Sequence, residues 1–184
     1  MADVGMLEKR NVLKERCKNM ARLFLMCGIP GCGKSTCAKQ LIEKNPQIKY
    51  VSRDEIRFSL LKEGEDYFAH EDQVFYEFTH SINKWLEAGY DVIADATHLN
   101  PSSRHKTMFK ILHADDVNVI YVATSIEEAL RRNELREGRA KVPESAIRNM
   151  SASLVVPTID EGFKSIFFVD GDNDYKIIDI VRGK

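Results

Sequence analysis

Short apolar runs alternate along this chain with stretches of helical periodicity. Leu23–Cys27, Val92–Asp95, Val117–Ala123 and Ile166–Val169 are runs that end in glycine, acids or small residues, as strands buried on both faces do, and Ile48–Ser52 reads as a further short strand. A helix is predicted from about Lys34 to Glu43. Phe75, Phe78, Ile82 and Trp85 recur at +3, +7 and +10, which predicts a helix from roughly Glu71 to Glu87 with Gly89 as its stop. Pro101 opens a helix to about His113, and Ser125 caps an Arg- and Glu-rich helix that ends at Gly138. Strands separated by helices imply right-handed parallel crossovers. The predicted fold is therefore α/β, three layers with a central, mostly parallel sheet of about five strands and sites at the strands' C-terminal ends.

Residues 1–20, with Lys9, Arg10, Lys14, Arg16 and Lys18, read as an N-terminal extension, and 21–184 as one domain without repeat or linker. That length suits one compact core. Composition, at 43% hydrophobic and 30% charged, excludes a collagenous or disordered chain. With 27 Lys+Arg against 28 Asp+Glu the net charge is −1, so any polyanion must be held by a local basic cluster. The N-terminus shows neither a signal peptide nor a membrane span. Cys17, Cys27, Cys32 and Cys37 form no CxxC and have no histidine at ligand spacing, so free thiols, no zinc and a cytoplasmic location are expected.

Gly28-Ile29-Pro30-Gly31-Cys32-Gly33-Lys34-Ser35 has the Walker A spacing and sits between a buried strand and a helix. Converging backbone N–H groups, with Gly31 and Gly33 free of Cβ, and the start of a helix suit phosphate oxygens. In this pattern Lys34 reaches the β- and γ-phosphates of ATP, Ser35 ligates Mg²⁺, and Thr36 adds a donor near the α-phosphate. Cys32 reads first as a small space-filling residue of the loop; the second reading is a thiol acidified by the surrounding amides, whose alkylation would block nucleotide binding.

Transfer to an alcohol needs a base beside the acceptor hydroxyl. Asp54 follows the second strand, so it projects from the same sheet edge as the loop; Arg53 and Arg57 bracket it. A helix N-cap is its alternative role. Asp95 ends the third strand and is expected to hold a metal-bound water or to orient Arg57, with a turn residue as the alternative. Thr97, His98 and Asn100 are placed along the acceptor cleft, with Arg104 reaching it from the next helix; His98 reads as an ordinary polar loop residue rather than an acid or base. In the segment Arg131–Lys141, Arg132 and Arg136 stand one helical turn apart and form a phosphate clamp, and Gly138 supplies a hinge. The Phe75–Trp85 stripe reads as core rather than a base-stacking surface. Asp170-Gly-Asp172-Asn-Asp174 lacks the sixth-position glycine and twelfth-position glutamate of a calcium loop and reads as an acidic turn.

GIPGCGKST, VSRDEIR, DATHLNPSSR and RRNELREGRAKVP, in that order from about Leu23 to Met150, resemble the kinase domain of phage-type polynucleotide 5′-kinases. The resemblance implies a P-loop kinase fold with an Arg-rich lid at about 131–143, and ATP-dependent phosphorylation of 5′-hydroxyl ends of DNA or RNA. It carries the family's general base onto Asp54, its acceptor-phosphate arginine onto Arg57, its loop lysine and serine onto Lys34 and Ser35, and its lid arginines onto Arg132 and Arg136. No DxDGT-type phosphatase motif follows, so the kinase half alone is expected, with a separate ligase or phosphatase as a possible partner and no membrane. Three alternatives stand beside it: a kinase of a nucleoside, sugar or other small alcohol, a nucleotide-binding switch, and a non-specific single-strand binder. Small-molecule kinases and a transfer-RNA-bound serine kinase share the loop and a similar second motif.

Overall fold

The computed structural model describes residues 20–183, so the N-terminal extension lies outside the described residues apart from Met20. The elements run β1 (Arg22–Cys27), α1 (Lys34–Lys44), β2 (Lys49–Ser52), α2 (Arg53–Leu60), α3 (Glu71–Glu87), β3 (Val92–Asp95), α4 (Pro101–Met108), β4 (Asp116–Ala123), α5 (Ile126–Glu134), α6 (Glu144–Ala152), β5 (Ser165–Asp170) and β6 (Lys176–Arg182). Single 3₁₀ turns fall at Gly138–Ala140 and Ile159–Glu161.

The sheet order is β2-β3-β1-β4-β5-β6. The first five strands are parallel, with Leu25 opposite Ala94 and Val119; β6 pairs antiparallel with β5. The fold is thus the expected α/β sandwich with a sixth strand. KIIDIVR escaped the pattern because it is an edge strand, exposed along nearly all its length and broken by Asp179.

Alternate residues of the central strands serve two cores. Leu23, Leu25 and Cys27 join Phe78, Ile82 and Leu86 of α3 on one face. Met26, Ile93 and Ile120 join Cys37 and Ala38 of α1 on the other. The buried stripe of α3 is Val74, Phe78, Ile82 and Leu86, so Phe75 and Trp85 fall at its margins. Gly89, with φ +81°, stops that helix as its sequence suggests. Helix α4 ends at Met108, short of His113, and α5 ends at Glu134, short of Gly138. A hollow of about 160 Å³ between α1 and the sheet is lined by Phe24, Leu41, Ile120, Phe167 and Tyr175, all apolar or aromatic. Among the described residues no helix is long and apolar enough to cross a membrane.

Candidate active site

The glycine loop joins β1 to α1 at the C-terminal edge of the sheet. Gly31 (φ +86°) and Gly33 (φ +94°) adopt left-handed backbone. A Cβ at Gly31 would overlap the Ala129 carbonyl of α5, and one at Gly33 would overlap the Tyr175 ring, so both positions demand glycine for space as well as for φ. Gly33 caps α1 without a side-chain bond, leaving first-turn amides free to face an anion. Lys34 is buried and its Nζ donates to the Ile29 carbonyl at 2.8 Å, across the loop it belongs to. Gly28 and Pro30 are buried framework, tied in part by the Gly28 amide donating to Thr97 O at 3.0 Å, whereas Ser35 and Thr36 are exposed at the mouth.

Ser35 Oγ and Tyr50 Oη both donate to Asp95 Oδ2 at 2.6 Å. Burial, with the Asp95 charge behind it, raises the Tyr50 phenol above its ordinary range. A hydroxyl against a carboxylate at the mouth of a phosphate loop suits a hard divalent ion that takes its remaining ligands from phosphate and water. Among the described residues no cluster of three or more His, Cys, Asp or Glu offers a complete protein cage.

Arg132 fastens the loop to the turn after β5. Its Nη1 donates to Cys32 O (3.3 Å), Nη2 to Gly171 O (2.8 Å) and Nε to Glu128 (2.6 Å). The bonds from Arg131 foremost, then Arg132, hold the Glu128 carboxyl down at about 2. Arg136 lies beyond the end of α5, with one 3.5 Å contact to Ala140 O. The two arginines therefore do not share a helical face: Arg132 is bolted down and Arg136 is held by little. Arg139 crosses from the same segment to Lys62 O at 2.8 Å.

On the other side, β2 runs straight into α2. Ser52 caps the helix, its Oγ accepting from the Glu55 amide at 3.3 Å, so Asp54 is not the N-cap. The Asp54 side chain is 64% exposed, and its Oδ1 accepts from Arg57 Nη1 (2.6 Å) and Tyr67 Oη (2.8 Å), while Oδ2 has no partner among the described residues. Arg57 is 6% exposed, donates Nη2 to Glu71 at 2.7 Å, and lies 4.4 Å from the Tyr67 ring centroid. Burial alone would lower the Arg57 guanidinium, but Glu71, Tyr67 and Asp54 together raise it, so the cation is secure. Burial and the Asp54 charge push the Tyr67 phenol up to about 12. Arg53 also pairs with Glu71, and the Nε atoms of both arginines are buried without a partner among the described residues. With β2 and β1 separated by β3, Asp54 and the glycine loop stand about two strand spacings apart, roughly 10 Å, along one edge.

A sequence profile for an AAA domain matches residues 23–157, most of the chain and all of the elements just described up to α6. The chain belongs to this AAA domain family. Among solved structures, this AAA domain superposes on a chain of the Pnkp1/Rnl/Hen1 RNA repair complex with a TM-score of 0.66 and 24% identity, covering 77% of this chain and 46% of that one. It thus spans under half the length of that relative. A sugar kinase from Janibacter sp. HTCC2649 gives 0.62 and 19%, covering 82% and 86%. A fungal RNA kinase gives 0.53 and 16%, covering 86% and 40%. At these identities the likeness establishes the P-loop kinase fold.

Several expected residues of the AAA domain take other places. Arg104 does not reach the cleft. It is 0% exposed, forms a two-pronged ion pair with Glu161 (2.7 Å at Nε and at Nη2), and donates Nη1 to the His98 and Val155 carbonyls at 3.0 Å, so its charge is consumed inside the fold. His98 is likewise interior, with Nδ1 2.8 Å from Met26 O and Nε2 3.2 Å from Thr107 Oγ1; burial drives it down to about 4 and keeps it neutral. Asn100 caps α4 through the Ser103 amide. Asp95 is not bonded to Arg57; it is turned to Ser35 and Tyr50 instead. Cys32 is 0% exposed, as its space-filling reading expects, and the second reading, alkylation, finds no exposed thiol in the folded loop. Sequence reasoning missed Tyr50, Tyr67 and Glu71; the acidic turn at Asp170–Asp174 is present as read, but its packing against the glycine loop was not foreseen. Tyr50 carried a readable signal, lying two residues before Ser52 and so on one side of the strand; the others are brought in by long-range packing.

Proposed function

We propose that this protein is an ATP- and Mg²⁺-dependent kinase of polynucleotide 5′-hydroxyl ends. The observation that carries the reading is the Asp54–Arg57 pair, an exposed carboxylate braced by a buried guanidinium on the same sheet edge as the glycine loop. Oδ1 is held by Arg57 and Tyr67, which leaves Oδ2 to accept the acceptor's hydroxyl proton as its oxygen attacks the γ-phosphorus. The Arg53 and Arg57 guanidinium groups beside Asp54 favour an anionic acceptor, to which a charged donor offers a charge-assisted hydrogen bond. The 3′-side phosphate of a terminal nucleotide supplies that anion, and a neutral sugar does not.

The loop amides and Lys34 hold the β- and γ-phosphates, Arg132 keeps the loop in register with the turn after β5, and Arg136, with little to hold it, swings onto the transferring group. When bound, Mg²⁺ would be held through Ser35 and Asp95 and would neutralise charge on the phosphate oxygens. Thr36 and Thr97 line the donor and acceptor sides of the mouth. The product 5′-phosphate is a ligase substrate, so an activity that joins such ends is the partner this reading points to. Free Cys27, Cys32 and Cys37 accord with the reducing cytoplasm. Phosphorylation of a small alcohol is the second reading, favoured by the length match to the sugar kinase, which this chain covers to 86%.

The test is transfer of γ-phosphate from ATP to a short 5′-hydroxyl oligonucleotide, beside a mononucleoside and a sugar, with Asp54→Asn as control. Labelling of the oligonucleotide alone, reduced on the order of 10²–10⁴-fold in the mutant while ATP binding persists, is the expected result. Transfer to the sugar in preference to the oligonucleotide overturns it.

A further inference from the structure

Two neighbouring aromatic residues of the α2–α3 connection are treated oppositely by the fold. Tyr67 is turned inward onto Arg57 and Asp54. Phe68 is left 61% exposed. A phenylalanine in water forgoes most of the roughly 1.5–3 kcal/mol that burial gives such a side chain. The exposure is built rather than incidental. The Phe68 amide donates to Asp66 Oδ1 at 2.8 Å, the Ala69 amide to Asp66 O at 3.0 Å, and the Glu71 amide to Phe68 O at 3.2 Å, so a closed turn presents the ring. The ring stands edge-on to Tyr67, centroids 4.9 Å apart, and 5.8 Å from the Arg57 guanidinium. Through Tyr67, an open aromatic face therefore lies one side chain away from the Asp54 carboxylate. The rest of the chain's mouth is polar: Ser35, Thr36, Asp54 and the lid arginines offer a sugar ring hydrogen bonds, but Phe68 offers it none.

We propose that Phe68, backed by Tyr67, is the platform on which the nucleobase of the acceptor's terminal nucleotide stacks, so that the site selects hydroxyls carried beside an aromatic base. The inference rests on the polynucleotide reading and adds the residue that sets acceptor choice. Stacking holds the terminal nucleoside by its base and directs its 5′-hydroxyl to Oδ2 of Asp54. Because every base has a π-face, the platform accepts any of the four. Base–aromatic stacking corresponds to about tenfold or somewhat more in affinity.

The experiment compares two acceptors with wild-type protein and with Phe68→Ala and Phe68→Trp: a 5′-hydroxyl oligonucleotide, and the same oligonucleotide with an abasic 5′-terminal residue. The wild type is expected to show a KM about tenfold lower for the base-bearing end. Phe68→Ala should raise that KM to the abasic level, so that the preference disappears, and Phe68→Trp should restore it. An unchanged KM for ATP and an unchanged unfolding midpoint place the effect at the acceptor, as expected for an exposed side chain. Equal use of both ends by the wild type, or a preference that survives in Phe68→Ala, overturns the platform while leaving the kinase reading intact. No transfer to either oligonucleotide overturns both.

Discussion

Arg57 and Arg104 are both buried and both paired with a glutamate, yet their surroundings differ in what the partners themselves touch. Arg104 spends Nε, Nη1 and Nη2 on Glu161 and two carbonyls, and Glu161 is itself only 8% exposed. The Arg57 head group is as dry, but Asp54 faces solvent, Glu71 is partly open, and Nε is spare. One arginine closes a network; the other ends one. A cation whose partners reach water has interactions left to offer an incoming anion, whereas a cation saturated by interior partners works for the fold alone.

The sharpest way to break this contrast is to remove the closed pair. Arg104→Met leaves the Glu161 carboxylate buried opposite a methionine, and uncompensated buried charge costs about 3–5 kcal/mol. Urea unfolding should show a loss of that size. Arg104→Met combined with Glu161→Gln should recover a good part of it, because the orphaned charge is gone. A loss under 1 kcal/mol for the single variant would mean that the network is slack and that Arg104 is no different from a surface arginine.

Arg57→Met tests the open pair. Its partners rehydrate when it is lost, so stability should fall by only about 1 kcal/mol. Transfer should fall on the order of 10²-fold in kcat/KM, since both the anion contact and the orientation of Asp54 go. Steady-state kinetics on an oligonucleotide acceptor, set against the same unfolding assay, separates the two effects. An unfolding penalty as large as that of Arg104→Met would erase the distinction between the two arginines.

What could be read before folding follows the same division. The glycine loop and the strands were legible because their chemistry is local: apolar runs, two glycines with forbidden Cβ positions, a lysine and a serine in fixed spacing. Helix α3 was legible in extent and in its centre, Phe78 and Ile82, whereas at the two ends of the stripe Val74 and Leu86 are buried and the bulkier Phe75 and Trp85 lie at the margins. Arg57 was placed beside Asp54 by its spacing, but that Arg104 turns into the interior was not readable, since it too stands on a short helix after a strand of the same edge. Their difference is made by Glu161, Val155 and Glu71, which packing brings in from elsewhere in the chain. The edge strand β6 was invisible because a strand with one paired side and an open face need not be apolar. Cys32 fits its space-filling reading, buried in one core cluster with Val122, whereas its sequence neighbours alone also allowed an accessible thiol among amides.

The mildest test concerns pH and again separates the closed interior from the open mouth. His98 belongs to the closed side, its carbonyl accepting from Arg104 and its ring held between Met26 O and Thr107. A carbonyl can only accept, so Nδ1 carries a proton, and burial keeps the ring neutral. Burial brings the folded value to about 4 from an ordinary 6.5, with Arg53, Arg104 and Lys34 opposing a second positive charge. The unfolded chain therefore binds the extra proton first. This contribution to stability is whole above about pH 6.5, falls as pH drops toward 4, and is flat below that. Between about pH 7 and pH 5 it amounts to about 2 kcal/mol. Glu161 and Glu128, whose carboxyls are lowered by their arginines, add their losses only further into acid, below the ordinary carboxylate range. His98→Gln should thus be less stable than wild type at pH 7 yet nearly flat from pH 7 to 5, where the wild type slopes. If the two slopes coincide, the pH sensitivity of the fold comes from elsewhere than this buried imidazole.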